Sequence, residues 1–532
     1  MSFTTGQYAW AVGALVALFA ISKAWPFVRL RLTTPLRDLP GPPNESILWG
    51  NLRKIFKAEN SVIHEQWSKE YGNTLRYHAF LGALRLYTTD TRALAHILNN
   101  TQVWQKPGMV RRGLAQILGE GVLFTEGEQH KRQRRIMNPA FGNAQLREHT
   151  NIFLEKSAQL RDIWRVKMTE GGGTAQVDAL SWLSRATLDI IGLAGFDYQF
   201  NALNEQGESN ELSDAFTKVF ATNQTPRTLP MLKNFFPFLR WIPEKRERET
   251  LAARATMDRI GMELINEKKR AIRAGDAKST GKDLLTLLIQ ANMDKELPAH
   301  LRMTDEEVLG QVPTFLVAGH ETTATSTTWF LYAMSLYPEV QAKLRAELLA
   351  VPTERPTMDE LNGLPYLDAV VRETLRVYSV VASTIRIAAE DDVVPLSTPY
   401  TDRKGNTRNE IRVMKGDTIF LPILALNRAP DIWGEDAHLF RPERWTTIPE
   451  AAKAIPGVLL GLETFIGGPR SCIGYRFAVL EMKALVFHIM RTFEVQLAVP
   501  VDQIASRSQI VARPLLKTDN TNQLPVKLTP IH

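Results

Sequence analysis

The stretch "FIGGPRSCIG", residues 465–474, holds the only cysteine in 532 residues. A lone cysteine forms no internal disulfide and builds no four-cysteine zinc site. It stands just before "IGYRFAVLEMKALVFHIMRTF", which is apolar on nearly all sides and reads as a buried helix. The free N–H groups and partial positive charge at a helix start favour a thiolate and lower its pKa. Gly467, Gly468 and Gly474 allow a tight loop whose amides point at the sulfur. A thiolate held this way serves as a nucleophile or as a metal ligand, and a lone cysteine is otherwise an inert buried thiol.

The rest of the chain bounds what the sulfur can serve. At 44% hydrophobic and 23% charged, the chain is globular rather than disordered. A single cysteine argues against a disulfide-stabilised secreted protein. The net charge of +7 suits an anionic membrane surface or an acidic protein partner. There is no arginine-rich tract and no zinc-finger or RNA-binding signature, so no nucleic-acid partner is expected.

Residues 8–28, "YAWAVGALVALFAISKAWPFV", carry one charge, Lys23, and are long enough for a transmembrane anchor. Trp10 and Trp25 stand near its ends, and Arg29, Arg31 and Arg37 follow it. A cleaved signal peptide would have a positive start and a small-residue cleavage site, which this stretch lacks. The charge asymmetry makes residues 1–7 luminal and places the bulk of the chain in the cytosol. The sequons at Asn44, Asn99 and Asn223 then stay unglycosylated. Residues 29–43 form a basic, proline-rich hinge that ends in "LPGPP", and residues 44–532 read as one catalytic domain.

Residues 74–89 alternate apolar and polar around Gly82, as a β-hairpin does. From residue 126 onward helical spacing dominates, with the longest apolar stretch over residues 303–337. Thr304 and Glu307 make a capping box at its start, and Pro338 opens the next helix. Around residues 384–421 the period becomes two, with turns at Lys404-Gly405-Asn406 and Lys415-Gly416-Asp417, which predicts a small sheet.

A cysteine protease needs a partnering histidine that sequence cannot place, whereas an axial haem ligand needs only the loop and a flat apolar cleft. Phe465, Gly468, Arg470, Cys472 and Gly474 reproduce the signature F-x-x-G-x-R-x-C-x-G, and in them the chain resembles the cytochrome P-450 superfamily. The resemblance runs from the anchor to the last helix. It implies a mainly α fold with a minor β-sheet region, a haem b (iron protoporphyrin IX), and Cys472 as the axial ligand of the haem iron. "AGHETT", residues 318–323, resembles the family's oxygen-activating sequence. There Ala318 and Gly319 make room at the haem, Thr322 hydrogen-bonds dioxygen and Glu321 relays protons. "GEQHKRQRR" places His130 and Arg134 four apart on one helix face, as in the family's propionate-binding helix. Many members carry tryptophan where this chain has His130. Arg386 and Arg470 match two further propionate positions. Glu373 and Arg376 of "ETLR" with Arg444 of "FRPERW" match the buried Glu–Arg–Arg cluster that locks the core.

The resemblance also implies a microsomal enzyme, anchored once in the endoplasmic reticulum membrane. Electrons come from NADPH through a separate flavoprotein reductase, sometimes with cytochrome b5. Lys131, Arg135, Arg476 and Lys483 are the expected docking charges. Pocket walls fall at residues 105–124, 215–242, 379–385 and 507–513. "LPMLKNFFPFLRWIP", residues 229–243, is apolar enough to dip into a membrane. Together these predict monooxygenation of a terpenoid, sterol or fatty-acyl skeleton, and the wording of "EGEQHKRQRRIMNPAF" resembles fungal secondary-metabolism members. The competing readings are a haem-thiolate isomerase or dehydratase of the same fold, and a non-catalytic haem sensor or electron carrier. Glu321 and Thr322 argue against both.

Overall fold

The computed structural model describes residues 27–204, 244–275, 281–507 and 511–531, with a few single positions between them. The expected anchor lies outside the described residues except at Ser22, Trp25, Phe27 and Val28, and most of 215–242 also lies outside them. Among the described residues no helix is long and apolar enough to cross a membrane. The chain divides into two compact units, Met1–Gln105 with Ser383–Pro422, and Lys106–Ala382 with Ile423–His532.

The first unit is built on a five-stranded sheet. Its order is Thr74–His78, Leu84–Thr88, Thr418–Leu421, Thr384–Ala388, Trp104–Gln105. All neighbours are antiparallel except Leu84–Thr88 with Thr418–Leu421. The expected hairpin is present, with Thr74 opposite Thr88 and His78 opposite Leu84. Its turn needs left-handed backbone at Leu81 (φ 55°) and Gly82 (φ +69°). Leu75, Tyr77 and Tyr87 are buried on one face of it, and Leu86 and Ile419 on the other. Asp392–Thr401 and Thr407–Val413 make a separate two-stranded ribbon, closed by a turn at Gly405 (φ +83°). The "LPGPP" segment is non-helical, as three prolines dictate, and it is packed rather than loose. Arg76 N–H donates to Pro40 O at 2.9 Å, and a Cβ on Gly41 would sit 1.9 Å from Arg76 O.

The second unit is helical. Six helices position the site: α1 (Gly127–Met137), α2 (Asn143–Glu170), α3 (Ala179–Phe196), α4 (Gln311–Leu336), α5 (Pro365–Val377) and α6 (Tyr475–Met490). The 303–337 stretch is two helices instead of one. Asp305–Leu309 carries the expected Thr304/Glu307 capping box, and Gly310 separates it from α4. Pro313 explains the break, since it offers no N–H to the Leu309 carbonyl and crowds it. Helix α4 is the centre of the unit, buried from Gln311 to Val317 and again from Thr323 to Leu331. It lies against α3 so closely that a Cβ on Gly319 would meet Ile191 at 2.8 Å. Thr187 Oγ1 of α3 donates to His320 O at 3.0 Å. Helix α6 is buried continuously from Leu480 to Met490, as its all-round apolarity predicts, and Phe477 packs on Phe153 of α2 with centroids 4.7 Å apart. Two β features were not apparent in the sequence. These are the sheet Ala175–Asp178, Pro525–Pro530, Phe493–Leu497, and the hairpin Ile504–Arg507 with Arg513–Leu516.

Candidate active site

The cysteine loop is fixed before α6 begins. Gly468–Arg470 forms a single 3-10 turn, and Cys472 N–H returns to Phe465 O at 2.9 Å. Ile466 (φ 56°) and Gly468 (φ +67°) both take left-handed backbone, unusual for a β-branched residue. A Cβ on Gly467 would lie 1.5 Å from Pro456 O. Gly467→Ala therefore has to displace backbone, and we expect it to lose most haem binding in an absorbance titration. Normal loading would show that the loop tolerates rebuilding.

Cys472 has accessible surface, yet the surrounding protein still pushes its thiol pKa up. The sulfur thus lines a recess instead of the outer surface. The Gly474 N–H and Arg134 oppose that shift without reversing it. This corrects the expectation of a lowered pKa: desolvation outweighs the helix start. A bare thiolate is costly here, and a cation on the sulfur restores it, because a coordinating thiol is deprotonated outright.

Basic groups converge beside the loop. Arg134 of α1 clasps Ser471, donating to its carbonyl and, at 3.3 Å, to its Oγ. Arg470 donates to Thr125 O at 2.6 Å and pairs with Glu126. His130 is 4% exposed, and its pKa falls to about 3 through burial and the charges of Arg470, Lys106 and Arg134. It is therefore a neutral donor, and the cations of the group are Lys106, Arg134 and Arg470. Arg386 belongs to the first unit, where it is buried and donates to Thr384 Oγ1 at 3.1 Å and Ile385 O at 2.9 Å.

Helix α4 opens at one strip. Ala318 is exposed and Gly319 and Thr322 are half-buried, between stretches buried from Gln311 to Val317 and from Thr323 to Leu331. Thr322 Oγ1 donates to Ala318 O at 2.6 Å. Phe315, one turn earlier, stacks edge-on against Phe141 at 5.7 Å, and Phe141 also abuts Gly474 of the cysteine loop. Glu321 is buried and accepts from Arg513 Nε at 2.5 Å. No local signal in the sequence points to that partner, which stands 192 positions away.

Behind α4, Glu481 of α6 is fully buried facing Thr323, and burial pushes its carboxyl pKa well up. A raised folded pKa means the native chain keeps a proton that the unfolded chain releases near pH 4.3. Stability then falls as pH rises from that value towards the folded pKa. Glu481→Gln does not titrate, so its melting temperature should exceed the parent's by a few degrees at about pH 8 and by less at about pH 5. Equal differences at both pH values would show that Glu481 is ionised.

The structure brings Glu373, Arg376 and Arg444 together. Arg376 Nη2 and Nε grip Glu373 Oε1 and Oε2, each at 2.8 Å, and Arg444 Nε reaches Oε1 at 2.9 Å. Trp445 Nε1 and the Arg441 N–H complete the shell of the carboxylate at 3.0 and 2.8 Å. Of the four expected docking charges, Lys131, Arg135 and Arg476 are exposed. Lys483 is not: it is 2% exposed and donates to Asp368 Oδ1 at 2.8 Å and Asn362 Oδ1 at 3.1 Å. Its helix buries every face, so its charge is paired inside.

The family profile for cytochrome P-450 matches residues 40–519. The chain belongs to the cytochrome P-450 family. Cytochrome P-450 monooxygenase 205 of Postia placenta is 51% identical, with 100% of each chain covered. Cytochrome P-450 monooxygenase 128 of the same fungus is 48% identical over 98% of this chain and 97% of its own. Monooxygenase claP of Ampulloclitocybe clavipes is 35% identical over 97% and 96%. The crystal structure of the cytochrome P-450DA heme domain shares the fold with a TM-score of 0.72 at 23% identity, covering 93% of this chain and 98% of that one. The protein is thus a cytochrome P-450 monooxygenase, a family whose cofactor is haem iron and whose members act on small molecules with a redox partner. The residues present fit that group. The recess offers one sulfur that a cation would ionise, and beside it a surplus of positive charge suited to two carboxylates.

Proposed function

We propose a membrane-anchored haem-thiolate monooxygenase that oxidises a lipophilic terpenoid, sterol or fatty-acyl skeleton with electrons from an NADPH-dependent reductase. The carrying observation is the pairing of an accessible cysteine in a fixed loop with an opening midway along a buried helix, at Ala318 and Thr322. Haem iron, when bound, supplies the insertion of one atom of dioxygen into a C–H bond while the other leaves as water.

Cys472 holds the iron as thiolate, and Phe465 and Gly474 shape the loop that keeps it there. Arg470, Arg134 and His130 bind the propionates, with His130 contributing one N–H and no charge. Ala318 leaves space against the helix, whereas the bare Gly319 admits Ile191 of α3 in place of a cofactor, which corrects the expected role of that glycine. Thr322 turns its hydroxyl from the Ala318 carbonyl towards dioxygen, and Glu321 delivers protons to it. Val380 and Ala382 give the pocket wall an aliphatic character that suits apolar skeletons. On the membrane side, Trp25 and Val28 at the end of the proposed span and Leu32 just after it are exposed apolar residues at helical spacing. The exposed Trp241, at 79%, supports a second contact with lipid.

The test is untargeted mass spectrometry of lipophilic extracts from a eukaryotic host making the protein and its reductase, fed terpenes, sterols and fatty acids. A product one oxygen heavier than its precursor is expected. A product of unchanged mass, or lighter by water, would replace oxygen insertion with isomerisation or dehydration.

A further inference from the structure

The acid of α4 is held by an element far away in sequence. Arg513 Nε donates to Glu321 Oε1 at 2.5 Å, and Thr325 Oγ1 reaches the same oxygen at 3.4 Å. His320 Nε2 stands 3.9 Å from Oε2. Among the described residues, Arg513 and His320 are the charged or titratable groups recorded against this carboxylate. Burial lowers the His320 pKa, and its Nδ1 lies 2.8 Å from Leu316 O, so the positive charge on Glu321 comes from Arg513.

Arg513 opens the second strand of the hairpin Ile504–Arg507 with Arg513–Leu516. Its backbone is pinned from both sides. Ala512 N–H donates to Val380 O at 2.7 Å, and Trp329 Nε1 donates to Ala512 O at 2.6 Å. Trp329 lies about two turns beyond Glu321 on the same helix. Val380 belongs to the aliphatic pocket wall. The guanidinium that holds the acid is therefore one residue from a joint between helix and pocket wall.

We propose that Arg513 is a positioning residue that holds the Glu321 carboxylate on the hairpin side of α4 and ties its release to the placement of the 511–513 wall. This rests on the proton-delivery role proposed for Glu321. Without an organic substrate, NADPH can take dioxygen by two routes. Two electrons give peroxide: NADPH + H+ + O2 → NADP+ + H2O2. Four electrons give water: 2 NADPH + 2 H+ + O2 → 2 NADP+ + 2 H2O. Only the second breaks the O–O bond and needs protons delivered on time, so the peroxide share of NADPH consumed reads the relay directly.

The experiment uses the full, haem-loaded chain with an NADPH-dependent flavoprotein reductase. It compares Arg513→Gln, Arg513→Lys, Glu321→Gln and the Arg513→Gln/Glu321→Gln pair. Peroxide share is measured alongside the melting temperature and absorption spectrum of each. Glu321→Gln and Arg513→Gln should each raise the peroxide share several-fold, and Arg513→Lys should restore most of it. The pair should match Glu321→Gln alone, and the melting shifts of the two single variants should not add. If Glu321→Gln raises peroxide and Arg513→Gln does not, the Arg513 proposal is overturned and the relay stands. A share that Arg513→Gln raises equally in the Glu321→Gln background also overturns it. An unchanged share in Glu321→Gln removes the relay and the proposal together. Should Arg513→Gln not load haem, Trp329→Phe takes its place: it frees the Ala512 carbonyl and should raise peroxide, and an unchanged share overturns the proposal.

Discussion

Glu373→Ala is expected to give little folded, haem-loaded protein. The carboxylate is 0% exposed and accepts from two guanidinium groups, an indole and a backbone N–H. Removing it leaves Arg376, also 0% exposed, as a buried cation without its counter-charge. Breaking a buried pair from one side costs about 3–5 kcal/mol, out of about 5–15 kcal/mol for a whole domain. The carbonyls of Asn427, Ala437 and Leu439 still accept from Arg376, but they carry no net charge to balance it. Glu373→Gln keeps an acceptor and should fall between the parent and the alanine variant. The check is the yield of soluble haem protein together with its melting temperature. Normal yield and melting in Glu373→Ala would show that the cluster contributes little to the core.

Cys472→Ala is expected to behave in the opposite way, keeping the fold and losing all turnover. Its sulfur lines a recess and its thiol is already disfavoured as an anion, so its loss strands no charge in the core. The loop is held by its backbone, through Cys472 N–H to Phe465 O, and by Arg134 on Ser471, all of which alanine retains. The variant should show no oxidised product in the mass-spectrometric assay while its circular dichroism stays that of the parent. Undiminished product formation would remove Cys472 from the chemistry.

These two variants also show what could be read from the sequence. Residues close together in the chain declared themselves: the glycines around Cys472, the i,i+3 pair Glu373 and Arg376, the capping box at Thr304, the hairpin at Gly82. Their geometry follows from local rules, and the structure places them where those rules put them. Effects that depend on the surroundings did not show. The thiol of Cys472 rises because protein mass encloses it, which no helix-start argument contains. Lys483 reads as a surface charge until Asp368 of α5 is found beside it. Glu321 has its partner in a hairpin of two four-residue strands, and short strands carry weak periodicity. The neutral state of His130 likewise comes from its burial and from cations at positions 106 and 470, far apart in sequence.

The central claim is that Cys472 holds the haem iron as a thiolate. The most direct measurement is the carbon monoxide difference spectrum of the reduced, haem-loaded protein beside that of Cys472→Ser. The parent should show the strongly red-shifted Soret band of a thiolate-ligated ferrous carbonyl, and the serine variant should lack it. A parent spectrum of the imidazole type, or a red-shifted band that survives in Cys472→Ser, would contradict the account.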